Sequence, residues 1–313
     1  MFSYVSPDRL IIHSYGHVVP SSNIFAAPIT NTPAGTEFDF TYGKRDNVPM
    51  VSLGHLIYGK QFRLTVNQVL HLGEVVLQLV RRVPEGMVVF FPSYAYLGNI
   101  LKLWNRLGIA INNDNDPTGS FLDLFSRRKR IFIEPRAAET MTTESTLGPS
   151  KHVHLYKTID ETLSAYSSQV ATGNGALMFA VVGGSLSEGI NFSDGLGRCI
   201  VVVGLPYPNS HSPEWQAKLE YNKTRVSRIS QNNDRQVSSN DILENACMRA
   251  VNQSVGRAIR HQKDYATIVL IDRRYGNAGV QKKLSGWIQS SLMEGRTSTQ
   301  IMTEIDNFFK DRK

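Results

Sequence analysis

The sequence predicts an α/β fold: a parallel sheet flanked by helices. Three observations carry that reading. Five runs are continuously apolar rather than alternating: GMVVFF (86–91), RIFIE (130–134), GALMFAVV (175–182), CIVVVGL (199–205) and TIVLID (267–272). Strands of parallel sheets bury both faces and read this way. Helical patterns lie between the runs, and such alternation marks α/β layering. Finally, 313 residues with 41% hydrophobic side chains suffice for one large core, or for a core with an insertion.

In chain order, residues 15–50 are rich in Gly, Pro, Asn and Thr, with short β-like pieces. GHLIYGKQ (54–61) matches most of a phosphate-loop pattern but has Gln61 where a magnesium-holding hydroxyl is required. It reads better as an amphipathic helical stretch with incidental glycines. The first run ends at Pro92, and a helical pattern follows. RRKR (127–130) precedes the second run; a charge run of this kind is either a phosphate contact or a solvated face. Residues 137–171 read as helical, as do 212–222 and 240–260. Between the last two, TRVSRISQNNDRQVSS (224–239) is polar and reads as a mobile loop. The tail after Gly276 reads as helical, with VQKKLSGWIQSSL and then TQIMTEIDNFF packing on the sheet.

Composition excludes several classes. Cys199 and Cys247 are the two cysteines, too few for a metal cluster or a disulfide framework. Cys199 reads as a small buried hydrophobe. The eight histidines show no zinc spacing, and the metal expectation is none. No secretory signal opens the chain and no apolar run reaches membrane length, so no membrane partner is expected. Triplets at Asn191, Asn222 and Asn252 are then chance glycosylation matches. A reducing compartment follows, cytosol or nucleus. The formal net charge of +7 fits a nucleic-acid partner without requiring one.

Two segments carry chemistry. VVGGSLSEGINFSDGLG (181–197) follows a strong strand at its carboxyl end, where ligands of open parallel sheets bind. Gly183 lets backbone approach a phosphate, Ser185 and Ser187 offer hydroxyls, Glu188 offers a carboxylate, and Gly189 suits a tight turn or a helix start. A strained, glycine-rich connection is the alternative. After the next strand, Pro206 and Pro208 stiffen a loop in which Tyr207 either stacks on a base or packs. ENACMRAVNQSVGRAIRHQ (244–262) reads as one helix, with Gln253, Arg257 and Arg260 on a shared face. Gly256 would mark close approach by a neighbouring backbone. A guanidinium aimed at a terminal phosphate stabilises charge during phosphoryl transfer, and is often supplied by a domain other than the one holding the phosphates. A solvated basic face, or pairing with Glu188 and Asp194, fits the spacing equally.

NQSVGRAIRHQKDYATIVLIDRRY (252–275) resembles helicase motif VI, VVGGSLSEGINFSDGLGRCIVVVGLPYPN (181–209) resembles motif V, and VVFFPSYAYL (88–97) resembles motif IV. HSYGHVVPSSNI (13–24) and FIEP (132–135) agree as well. The chain is similar to the second motor domain of the XPD-like iron–sulfur class of superfamily 2 DNA helicases, in its Chl1 or DDX11 branch. The resemblance implies a RecA-like sheet, with residues 1–313 as one domain of a longer helicase. It implies 5′-to-3′ unwinding of single-stranded or forked DNA in the nucleus, serving replication, repair and sister-chromatid cohesion. ATP and Mg2+ would bind between this chain and the first motor domain, reached by Arg257 and Arg260, with Gln253 sensing nucleotide. Gly183, Glu188, Gly189 and Gly256 would line the nucleotide side; Ser93, Tyr94, Ser185 and Ser187 would meet single-stranded DNA. An iron–sulfur cluster is expected in the full-length protein and not in this chain. Replication and cohesion factors would be further partners. The alternative is a protein-binding scaffold domain that keeps the motifs for folding.

Overall fold

The computed structural model describes residue 9 and residues 19–45, 60–109, 119–136, 153–189, 191–229 and 238–312. The strands are β1 (Ile24–Ile29), β2 (Gly86–Phe91), β3 (Gly108–Ile109), β4 (Gly119–Ser120), β5 (Arg130–Ile133), β6 (Val153–His154), β7 (Ala176–Val181), β8 (Cys199–Val203) and β9 (Ala266–Ile271). Seven form one sheet in the order β1-β9-β8-β2-β7-β5-β6, with every neighbouring pair parallel. β3 and β4 pair antiparallel, apart from it. The helices are α1 (Tyr42–Arg45), α2 (Lys60–Arg82), α3 (Tyr94–Trp104), α4 (Phe121–Ser126), α5 (Ile159–Ala171), α6 (Ser185–Gly189), α7 (Pro213–Ile229), α8 (Ser239–Val255), α9 (Ala278–Gln281), α10 (Gly286–Gln289) and α11 (Ser298–Lys310). This is the α/β class expected, a parallel sheet flanked by helices.

The continuous apolar runs are explained by two cores, one on each face. Met87, Val89 and Phe91 of β2 join Leu72 of α2, Trp104 of α3, Phe125 of α4 and Ile305 of α11. Val88 and Phe90 point the other way, to Tyr166 of α5 and Val251 of α8. Successive strand residues thus enter opposite layers, and none faces water. Trp104 centres the first layer. Its ring lies 5.4 to 6.3 Å from those of Phe91, Phe121, Phe125 and Phe179, and its Nε1–H donates to the Val69 carbonyl at 3.0 Å. Replacing it by alanine should cost about 3–5 kcal/mol.

Several expectations change. IFAAPI, not foreseen as a buried strand, is β1 on the sheet edge. Its outer side is closed by Ala26 N–H to the Ser291 carbonyl and Met293 N–H to the Ala26 carbonyl. Pro28, lacking an N–H, is tolerated on such an edge. The helical expectation over 137–171 holds for Ile159–Ala171, where Thr158 and Glu161 form a capping box; Val153–His154 is a strand paired to β5, and 137–152 lie outside the described residues. The supposed loop 224–239 is partly helix. α7 continues to Ile229, braced early by Lys218 to Glu214 at 2.5 Å, and α8 starts at Ser239 behind the cap residue Ser238. Residues 230–237 lie outside the described residues, as do 54–59 of the phosphate-loop look-alike. The VQKKLSGWIQSSL tail is two four-residue helices, α9 and α10, rather than one.

The largest correction concerns the arginines. The helix over 244–262 stops at Val255, with Gly256 as its C-cap. Arg257 and Arg260 lie beyond it and share no helix face with Gln253. The chain must reach the start of β9 at Ala266, and buried Ala258 and Ile259 pull it onto the second core. Gly256 has an ordinary right-handed conformation, and a Cβ there would meet only carbonyls of its own helix. It ends a helix rather than admitting a neighbour.

Candidate functional site

β2 and β7 are adjacent, but their outgoing connections leave by opposite faces. α3 packs on the first layer, while Leu186 of α6 and Phe192 pack on the second. Such a divergence opens a crevice outside the carboxyl ends of the two strands. Ser93 and Tyr94 stand on one lip and Gly183–Ser187 on the other. Ser93 caps α3, its Oγ accepting the Tyr96 N–H at 3.2 Å.

Glu134, just past β5, ties the lips together. Its carboxylate accepts the Val181 N–H at 2.7 Å, the Leu186 N–H at 3.0 Å and the Tyr94 hydroxyl at 2.9 Å. Burial raises the Glu134 carboxyl pKa against these hydrogen bonds, which lower it. Burial, then the facing carboxylate, raises the Tyr94 phenol. The two glycines have separate causes. Gly183 has φ +72°, and a Cβ on Gly184 would lie 2.5 Å from Glu134 Oε1 and 2.8 Å from Tyr94 Oη. Ser185 is exposed, whereas Ser187 is buried and donates its hydroxyl to the Gly184 carbonyl at 2.8 Å. Gly189 ends α6; the Glu188 side chain lies outside the described residues.

From α6 the chain crosses the second face to a 3-10 turn, Asp194–Gly197, that leads into β8. The arginine segment docks on this crossing. Arg257 donates its Nε–H to the Ser187 carbonyl at 3.1 Å and accepts the Phe192 N–H on its own carbonyl at 2.9 Å. Arg260 and Gln253 are exposed. Below them, buried Asp264 joins Arg198, and His261 bonds Asp194 at 2.7 Å. Asp194, His261 and Asp264 are close enough to share a cation, but the Asp264 oxygens are already held by N–H donors. The set reads as a hydrogen-bonded cluster.

RRKR stands elsewhere. It leads into the amino end of β5, at the opposite end of the sheet from Tyr94 and Ser185. Arg127 and Arg128 are exposed, but Lys129 is buried and donates to the Glu85 carbonyl at 2.5 Å. Tyr207 is at the surface with the Arg274 guanidinium 5.6 Å from its ring centroid. Cys199 and Cys247 are both buried, one in β8 and one in α8, and do not suit a cluster. Among the described residues no helix is long and apolar enough to cross a membrane. Sequence reasoning missed Glu134, Arg198 and Asp264 as site-builders. Glu134 left two signals: a lone acid closing an apolar run, and its place in the FIEP stretch (132–135).

Residues 76–291 match the family model described as helicase C-terminal domain, and the chain belongs to that family. Among its relatives, the ATP-dependent DNA helicase chl1 of Aspergillus fumigatus is 41% identical, covering 100% of this chain and 36% of that protein. The ATP-dependent DNA helicase DDX11 of Danio rerio is 36% identical, covering 99% of this chain and 30% of that protein. The similarity therefore runs to the Chl1/DDX11 branch, as the motifs indicated. A solved structure titled XPD helicase aligns with a TM-score of 0.47 at 17% identity, over 83% of this chain and 33% of that one. The chain spans about a third of the length of the curated relatives it matches.

Proposed function

We propose that this chain is the second motor domain of an ATP-dependent DNA helicase, and that Arg257 and Arg260 are the arginine fingers it supplies to ATP held by a first motor domain. One observation carries the reading: Arg257 is bonded through both side chain and backbone to the segment that runs from the crevice glycines. A movement of that segment moves the arginine with it, which is what coupling DNA grip to hydrolysis requires. ATP and Mg2+ then lie at the domain interface, with Gln253 and Gly256 beside the fingers and Gly183, Glu188 and Gly189 relaying nucleotide state. Ser93, Tyr94 and Ser185 line the single-stranded DNA path. Ser187, its hydroxyl spent inside α6, is left out of it.

The relatives' names supply the substrate class, DNA, and the energy source, ATP. Extending them, we read the whole protein as a nuclear 5′-to-3′ helicase acting on forked DNA in replication, repair and cohesion, with an iron–sulfur cluster in its first half. The test is ATP turnover by the full-length helicase. Arg260→Ala should lower kcat by about three orders of magnitude or more while ATP still binds. Unchanged turnover with an intact fold would contradict the reading and favour a scaffold role.

A further inference from the structure

The two arginines are held differently. Arg257 grips the 187–192 segment with its own atoms. Arg260 is exposed, and its guanidinium makes no ion pair among the described residues. What holds it is its backbone N–H, which donates to Asp264 Oδ2 at 3.4 Å. The same oxygen accepts the Asp194 N–H at 3.2 Å. The other, Oδ1, accepts Arg198 Nη1 at 3.0 Å and the Tyr265 N–H at 2.9 Å. The Asp264 side chain is 0% exposed. One buried carboxylate thus joins the arginine segment to the Asp194–Gly197 turn.

That turn is fixed to the sheet. A Cβ on Gly86 would collide with the Leu196 carbonyl, and one on Gly197 with the Phe192 carbonyl, so backbones here are in contact. Arg198 is braced in turn. Its Nε donates to Glu85 at 2.6 Å, its Nη1 also reaches the Tyr265 carbonyl at 3.1 Å, and its guanidinium lies 3.8 Å from the Tyr265 ring centroid.

We infer that Asp264 is a positioning residue for Arg260: its carboxylate, clamped by Arg198, fixes the backbone from which that guanidinium reaches the terminal phosphate. The inference rests on the reading of Arg260 as an arginine finger. Its chemistry is specific. Four donors converge on two oxygens, two on each, and only an ionised carboxylate accepts on both. Asparagine has the same shape, but in either orientation its NH2 meets two N–H donors. A finger acts by being in place, and about 1 Å of displacement can cost about 10²-fold in rate.

The test uses the full-length helicase, with ATP turnover measured at saturating single-stranded DNA and melting temperature measured alongside. Asp264→Asn should lower kcat by about 10²-fold and leave KM for ATP within about twofold, the signature of an interaction made in the transition state. The double variant with Arg260→Ala should be no slower than Arg260→Ala alone. Arg198→Lys, which keeps the charge and loses the fork, is the milder second variant and decides the matter where Asp264→Asn does not fold. It should show a smaller kcat loss with the same non-additivity. Wild-type turnover in a folded variant, with Arg260→Ala slow, would overturn the inference. So would losses that multiply in the double variant. Wild-type turnover in Arg260→Ala would instead remove the finger reading, and the inference with it.

Discussion

Glu134 has no partner of opposite charge in its hydrogen-bond set, yet it organises the crevice by accepting from Val181, Leu186 and Tyr94. Glu134→Gln preserves size and shape but turns one acceptor into a donor facing another donor. We expect a loss of about 1–3 kcal/mol, read by urea unfolding. Gly184→Ala should cost a similar amount, because the Cβ would press on an anchored carboxylate rather than a flexible chain end. At this scale the sequence was informative where a residue type has one physical use. Paired glycines after a buried strand pointed to the crevice, and paired arginines to the docking segment. It was silent on Asp264, whose four donors come from residues 194, 198, 260 and 265. No spacing rule joins those positions. Ser187 shows the opposite failure: a hydroxyl in the segment the glycines marked, turned inward by the helix it belongs to.

Strands were legible in proportion to their length and apolarity, whereas the longest helix, α2 (Lys60–Arg82), was foreseen only at its margin. β2, β7, β8 and β9 announced themselves because each buries both faces. β1 did not, since IFAAPI mixes alanine with a proline that a central strand would reject, and β6 has only two residues. The end of α8 was misread because GRAIRH keeps an apolar spacing that a helix could also use. The turn is imposed from outside, by the second core and by the Asp264 carboxylate. Within elements, helix propensity makes a separate prediction. Gly98 lies inside α3, and a methyl group added there would meet nothing within 4 Å. Gly98→Ala should therefore stabilise the chain by about 0.5–1 kcal/mol. A higher urea midpoint at unchanged slope would bear this out, and a lower midpoint would mean that α3 is less regular at this turn.

Across the whole molecule, the sheet separates two ends with different character. The carboxyl end carries the crevice. The amino end carries Lys129, whose ammonium is buried against the Glu85 carbonyl. Burial lowers its pKa from an ordinary 10.5 to about 8. A base with a depressed folded-state pKa is a liability while charged. Stability should therefore be lower below pH about 8 and rise as pH climbs from there toward the unfolded value of about 10.5. Lys129→Met should flatten that rise and raise stability at pH about 7, as read from unfolding free energies at pH about 7 and about 9.5. The proposed chemistry lies along the other axis, across the second face, where the crevice segment and the arginine segment are bonded together and would complete an ATP site held by another domain. The most direct measurement is single-turnover ATP hydrolysis by the purified first motor domain on single-stranded DNA, with and without this chain. The intact chain should stimulate hydrolysis, and the Arg257→Ala and Arg260→Ala chains should not. Two domains that bind each other without stimulation, or arginine variants that stimulate as well as the intact chain, would contradict it.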